Sequence, residues 1–184
     1  MGLEKTMREL ASATRKLDDR VRELRVTVVE DRPLKGDASL VDKLEYAVED
    51  LIGWLREMLE AAKAAQRAVG HPLDVDGARR ALVTCQERLR RIEQVFTKTV
   101  SYEQLADLTT FGAERRGEWP SWVTSVKHGL EHCRQPLENV RRGMADCWEE
   151  IAERVGMTSV TVQTNIGQRA DPATEDFVER AEGS

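Results

Sequence analysis

The sequence predicts an all-α protein, a bundle of four antiparallel helices with heptad-like packing. Four stretches carry apolar residues at alternating steps of three and four, which is the spacing of one buried helix face. The chain of 184 residues is 33% charged and only 5% aromatic, a composition typical of long amphipathic helices rather than of a sheet protein. Most of its five prolines lie outside the periodic stretches. Together these features favour a helical bundle packed like a coiled coil.

The chain length fits one domain with an appendage. A domain near this size hides roughly 70% of the surface that its unfolded chain exposes, so we expect a sizeable core. We assign residues 1–156 to the helical bundle and residues 157–184 to an extended or disordered C-terminal tail.

The first helix is expected from Leu3 to Glu23 or slightly beyond. Residues 26–29 are all β-branched and suit an extended exit from the helix. A loop follows at residues 31–37, where Pro and Gly break helical structure. The apolar stripe consists of Leu3, Met7, Leu10, Thr14, Leu17, Val21, Leu24 and Val28.

The second helix is expected to open at Ser39, because a carboxylate three residues later, on Asp42, completes a variant of the capping box. Gly70 and the following Pro72 are natural stop signals for this helix. An alanine-rich stretch near its far end would let a partner helix approach closely. Its stripe consists of Val41, Leu44, Val48, Leu51, Leu55, Met58, Ala62, Ala65 and Val69.

The third helix is expected to start near Asp74 or Asp76 and to run to about Phe96. Residues 101–111 either continue it or form a separate short helix, since Ser101 could act as a further cap. Its stripe consists of Ala78, Leu82, Cys85, Leu89, Ile92 and Phe96.

The fourth helix is expected from Pro120 or Ser121 to Gly156. Pro136 lies inside it, where a proline removes one backbone hydrogen bond. The apolar rhythm passes through this proline without a skip, which predicts one helix with a kink near residues 132–136. The stripe consists of Val123, Val126, Leu130, Cys133, Leu137, Val140, Met144, Cys147, Ile151 and Val155.

The charge pattern bears on the class of partner. The formal net charge is −5, from 28 basic and 33 acidic residues that are interspersed along the chain. A nucleic-acid partner would require a basic face, and the densest basic run, residues 79–91, is interrupted by Glu87. No apolar run reaches the ~20 residues of a membrane span, and no secretory signal opens the chain. We therefore expect a cytoplasmic protein that binds neither nucleic acid nor membrane.

The three cysteines are an odd number and do not form a complete disulfide framework. Cys133 and Cys147 lie about 21 Å apart along one helix, so they cannot bridge each other. All three cysteines, including Cys85, lie on apolar stripes, where a thiol behaves as a small hydrophobe. No Gly-rich phosphate loop and no nucleophile elbow occurs in the sequence. We predict neither a catalytic residue nor a cofactor.

The segment 128–132 reads His-Gly-Leu-Glu-His and resembles the H-x-x-E-H motif of the inverted zinc metallopeptidases. That resemblance implies zinc ligands at His128 and His132 and a general base at Glu131. It covers five residues only. Since Leu130 lies on the buried stripe, both histidines are expected to face solvent. The sequence predicts a surface pair, with a zinc-dependent hydrolase as the alternative function.

Three of the four tryptophans lie in the fourth helix or just before it. Trp122 and Trp148 lie beside the stripe of the fourth helix and are expected to widen the core. Trp119 lies in a segment rich in Gly and Arg before Pro120, which we interpret as a loop. Its indole either packs back against the bundle or serves as an interface anchor for a partner.

The tail carries the functional hypothesis. Residues 157–168 are β-prone and uncharged, and apolar and polar side chains alternate within them. Such a segment can add a strand to the sheet edge of another protein, or it can pack along a groove of its own bundle. We predict a non-catalytic adaptor or regulatory subunit that binds a partner protein. The partner could also be a second copy, bound through the apolar stripes of the helices. A bundle that binds a small ligand is a further alternative. The predicted contact residues are Trp119, Val160, Val162, Asn165, Ile166 and Gln168.

Overall fold

The fold is an all-α bundle of four helices, given by a computed structural model that describes residues 2–32, 38–70, 72–99 and 118–156. Within these ranges the side chains of residues 38–40, 98–99, 118–120 and 156 are not described, and no β-strand occurs. The helices are α1 (Leu3–Arg25), α2 (Ala38–Ala68), α3 (Val75–Gln94) and α4 (Glu118–Gly156).

Each helix runs antiparallel to its neighbours. The carbonyl of Thr6 lies beside Cys147, whereas Leu24, near the other end of α1, lies against Gly129. Helices α1 and α4 therefore run in opposite directions. Helix α1 packs closely on both α4 and α2, and α2 packs closely on α3. The backbones of α3 and α4 approach each other much less.

The core follows the apolar stripes that the sequence predicts. Those of α1, α2 and α4 are buried along almost their whole described length, and they form one continuous cluster with the stripe of α3. Transfer of this apolar surface from water stabilises the bundle by about 25 cal/mol for each Å² removed. The largest fully buried side chains are Met7, Leu10, Leu17, Leu24, Leu51, Leu55, Met58, Leu82, Ile92, Met144 and Val21.

The expected extended exit from α1 is wrong. Residues Val26–Glu30 form a π-helical turn that continues α1, and the Asp31 N–H donates to the Val26 carbonyl at 3.1 Å. Val28 is 0% exposed, so burial of its side chain outweighs the preference of β-branched residues for extended structure. A second π-helical turn, Val95–Thr99, continues α3.

The connection between α2 and α3 is short and well bonded. Asp74 is the N-cap of α3, and its side chain accepts a hydrogen bond from the Gly77 N–H at 2.8 Å. The Asp74 N–H donates back to the carbonyl of Ala68, the last residue of α2, at 2.7 Å. The start of α3 expected from the sequence is therefore confirmed, with Asp74 supplying the cap that satisfies an unpaired N–H of the first turn.

Helix α4 is continuous from Glu118 to Gly156, with Pro136 inside it. The prediction of one helix rather than two is confirmed, and α4 begins two residues before the expected Pro120. The predicted short helix at 101–111 lies outside the described residues. None of the described helices combines the length and the apolarity that a membrane span requires.

Candidate functional site

The histidine pair lies on the solvent-facing side of α4. His128, Glu131 and His132 are all exposed, while Leu130 between them is buried. Glu131 forms a surface ion pair with Arg134, with Oε2 and Nε 3.4 Å apart. Among the described residues, no three or more His, Cys, Asp or Glu side chains are grouped so that they could hold a metal ion. The predicted surface placement of both histidines is confirmed.

The cysteine thiols are buried and free. Burial raises the pKa of Cys85, Cys133 and Cys147 from 9.0 to about 12. The thiol of Cys147 donates to the Thr6 carbonyl at 3.3 Å, and that of Cys85 donates to the Met58 carbonyl at 3.6 Å. A thiol nucleophile needs a lowered pKa and access to its substrate. These three side chains instead serve as core residues, as predicted.

Three of the five arginines of α3 make contacts within the molecule. Arg79 pairs with Asp76 at 3.8 Å, and Arg88 pairs with Glu57 of α2. The guanidinium carbon of Arg91 lies 6.0 Å from the centre of the Trp54 ring, within the range of a cation–π contact. Arg79 and Arg88 thus pair with carboxylates, whereas Arg91 lies over an indole, so these three side chains do not join in one basic face.

One end of the bundle, which we call the loop end, holds both π-helical turns and the start of α4. There the indole Nε1 of Trp122 donates to the Thr27 carbonyl at 3.0 Å. Trp122 is 4% exposed, which confirms its predicted place in the core. The interpretation of Trp119 as a loop residue is wrong, since its backbone lies in the first turn of α4. The structure does not describe its side chain.

The opposite end, the tail end, is where α4 leads into residues 157–184. The predicted contact residues Val160, Val162, Asn165, Ile166 and Gln168 lie outside the described residues. The last described turns of α4 are held by the core, because Ile151 is 3% exposed and Cys147 contacts α1. Helix α4 is therefore anchored to the core close to its last described residue, Gly156.

Sequence reasoning missed the seam between α3 and α4. Trp148 Nε1 donates to Gln86 Oε1 at 3.2 Å, and Arg141 pairs with Glu93. Long side chains thus join two helices whose backbones lie apart. Next to these contacts is an uncharged group of partly or fully exposed side chains, which we call the seam patch. It consists of Val83 and Gln86 on α3 and Ala145, Trp148, Ala152 and Val155 on α4.

A sequence signal for this patch exists. Positions 145, 148, 152 and 155 recur at helical spacing on one side of α4, and none is charged in a chain that is one-third charged. The α3 side of the seam carries no such signal, because the helix-surface neighbours of Val83 are Arg79, Arg80 and Glu87 besides Gln86. The hydrogen bond between Gln86 and Trp148 joins the two halves.

Comparisons with protein-family models, with curated proteins and with solved structures give no match to this chain.

Proposed function

We propose that this protein is a non-catalytic adaptor or regulatory subunit that binds a partner protein through residues 157–168. The single observation that carries the proposal is the anchoring of α4 up to the point where this segment begins. Ile151 is buried, and the thiol of Cys147 donates to α1 at 3.3 Å. Because α4 is firmly anchored, it would present the β-prone residues 157–168 at a defined place on the bundle.

The proposed mode of binding is strand addition. An extended segment offers its backbone N–H and C=O groups to the unpaired edge of a sheet, and alternate side chains enter pockets of the partner. Val160, Val162 and Ile166 would share one face of such a strand, because successive side chains of a strand point to opposite sides. Asn165 would lie on the other face. Gln168 would lie on the apolar face at its polar end.

The loop end is a second place for partner contact. Trp119 begins α4 there, one turn before the buried Trp122. An indole at an interface provides a large apolar surface together with one hydrogen-bond donor. In this proposal a second copy of the same chain is the alternative partner. A reducing, cytoplasmic setting fits the three free thiols.

The proposal is tested by capture of partners from the source cell. The bait variants are the full chain, a chain ending at Gly156, and the Val160→Pro/Val162→Pro chain. Proline removes a backbone donor and prevents strand pairing, so both altered baits should lose the partners that the full chain recovers.

Ala173→Pro is the matched control, because it introduces the same residue outside the proposed strand. It should recover partners like the full chain. Circular dichroism must show equal helix content for all baits. Unchanged recovery with Val160→Pro/Val162→Pro would reject tail-mediated docking.

A further inference from the structure

His128 and His132 lie one helical turn apart on the outer side of α4. Both side chains are exposed, whereas Leu130 between them is buried. Residues four positions apart on a helix are surface neighbours, with Cβ atoms about 5–6 Å apart. At this spacing each imidazole can direct one ring nitrogen at the same ion, at the usual Zn–N distance of about 2.0–2.1 Å. The pair therefore has the arrangement of two zinc ligands.

The backbone that carries the pair is held by the core. Gly129 lies so close to α1 that an added Cβ would be 2.8 Å from Leu24 Cδ1. Cys133, directly after the second histidine, is 1% exposed. Packing on both sides thus fixes the separation of the two histidine backbones before any metal binds. Only the imidazoles must be ordered, which keeps the entropic cost of binding low.

The charges next to the pair on α4 are few. Glu131 lies between the histidines in sequence and is paired with Arg134, with Oε2 and Nε 3.4 Å apart. Lys127 precedes His128, but consecutive side chains point about 100° apart around a helix. The other neighbours of the pair on the surface of α4 are uncharged, namely Thr124, Ser125, Gly129, Gln135 and Pro136.

The charges that α1 brings to this place also cancel. Burial is the main cause of the raised pKa of Cys133, and Arg20 and Glu23 lie close enough to add smaller effects of opposite sign. These two side chains are paired with each other, with Nη1 and Oε1 3.3 Å apart. Lys16 and Asp19, the exposed charges one turn earlier on α1, are again of opposite sign. Another protein surface can therefore approach the histidines without meeting a strong net charge.

One chain offers only half of a zinc site at this place. No group of three or more His, Cys, Asp or Glu side chains suited to a metal ion occurs in the part of the chain that the structure describes. Structural zinc ions almost always have four ligands in a tetrahedron. Two copies related by a two-fold axis through the ion would supply four imidazoles, because such an axis presents the same residues from both copies.

We propose that one zinc ion joins two copies of this chain, with His128 and His132 of each copy as its four ligands. The α4 helices of the two copies cross at the ion. Imidazole fills all four positions, so the zinc is structural and keeps no open position for the activation of water. The proposal makes the second copy a partner in its own right. It does not involve residues 157–168, so the dimer and the adaptor function can fail independently.

The test measures mass and zinc content of the full chain in solution. Protein freed of metal with a chelator is titrated with zinc sulfate and followed by sedimentation velocity. The 20.8 kDa chain should double in mass, with one zinc bound for every two chains. His128→Ala and His132→Ala should each stay at the mass of a single chain over the same zinc range. Both positions are exposed, so these variants should keep the helix content of the wild type.

His71→Ala is the matched control, because it removes the third histidine of the chain by the same substitution. It should form the dimer like the wild type, and magnesium, which prefers oxygen ligands, should form none. One zinc for each chain at unchanged mass would overturn the bridge, and so would the absence of zinc uptake. A dimer that persists in His128→Ala, or that is lost in His71→Ala, would overturn the choice of ligands. Capture of partners by the truncated bait has a separate readout and tests the adaptor function alone.

Discussion

The indole of Trp122 and the carbonyl of Thr27 join the beginning of α4 to the end of α1, with Nε1 and O 3.0 Å apart. Helix termini leave their last carbonyls without an N–H partner from the helix itself. Trp122 supplies that partner from 95 positions along the chain. The π-helical turn around Thr27 is thus held at both sides, by the burial of Val28 and by this hydrogen bond.

Trp122→Phe should lower the free energy of unfolding by about 1 kcal/mol, because it keeps an aromatic ring in the core but leaves the Thr27 carbonyl without its donor. Trp148→Phe is the control, since its partner Gln86 is only partly buried and can bond to water instead. Its cost should be smaller. Urea denaturation measures both. Equal losses of unfolding free energy in the two variants would mean that the hydrogen bond to Thr27 contributes no more to stability than the one to Gln86.

Gly143→Ala should stabilise the protein by about 0.5–1 kcal/mol, the difference in helix propensity between glycine and alanine. A Cβ at this position would lie 3.5 Å from Leu10 Cα and 3.6 Å from Leu10 Cδ1, which is ordinary van der Waals contact. Thermal unfolding of the variant should show a higher midpoint. Gly53→Ala is the control in open space, since no atom lies within 4 Å of its Cβ, and it should show a similar gain.

Gly129→Ala should behave differently, although Gly129 is related to Gly143 by two heptads on the same face of α4. Its Cβ would lie 2.8 Å from Leu24 Cδ1, and Leu24 is 1% exposed, so the leucine must shift within a filled core. Overpacking of this kind costs about 1–3 kcal/mol, which offsets the gain in helix propensity. We expect a midpoint below that of Gly143→Ala. Equal stabilisation would show that the Leu24 side chain can turn aside at no cost.

The buried thiols should make the protein less stable in strong alkali. The pKa of these thiols is about 12 in the folded protein, compared with 9.0 for an ordinary cysteine thiol. Folding therefore opposes ionisation of the thiols. The contribution is complete below pH 9 and is lost as the pH rises from 9 towards 12, because the unfolded chain then releases protons that the folded chain retains. Urea midpoints of wild type and Cys133→Ala measured from pH 8 to 11 test this. The variant should decline less steeply, and parallel curves would contradict the assignment.

Leu51→Asp should abolish cooperative unfolding. Leu51 is 0% exposed in the centre of α2, and a carboxylate there would lack both water and a counter-charge. Tyr46→Asp, in the same helix but 73% exposed, is the control and should cost less than about 1 kcal/mol. Near-ultraviolet circular dichroism during heating distinguishes the two. A sharp transition for Leu51→Asp would mean that α2 does not face the core at this residue.

Helix existence and burial could be predicted in detail because they depend on local periodicity. The stripe of α4, for example, runs through Pro136 without interruption, and the helix does the same. The solvent-facing position of His128 and His132 follows from the buried Leu130 by helix geometry alone. Residues 26–29 could not be predicted in this way, since a local preference for extended structure competes there with burial that only the folded bundle provides.

The amino-acid sequence alone determined which face of each helix is buried, that α3 begins near Asp74 or Asp76, and why the cysteines are core residues. The tertiary structure decided which helices are close neighbours, that α3 and α4 stay apart, and that Trp122 reaches Thr27. The physical reason is the range of the interactions. Apolar spacing and capping act within one or two helical turns. The seam patch and the hydrogen bond from Trp122 to Thr27 instead require contact between residues that are 60 or more positions apart.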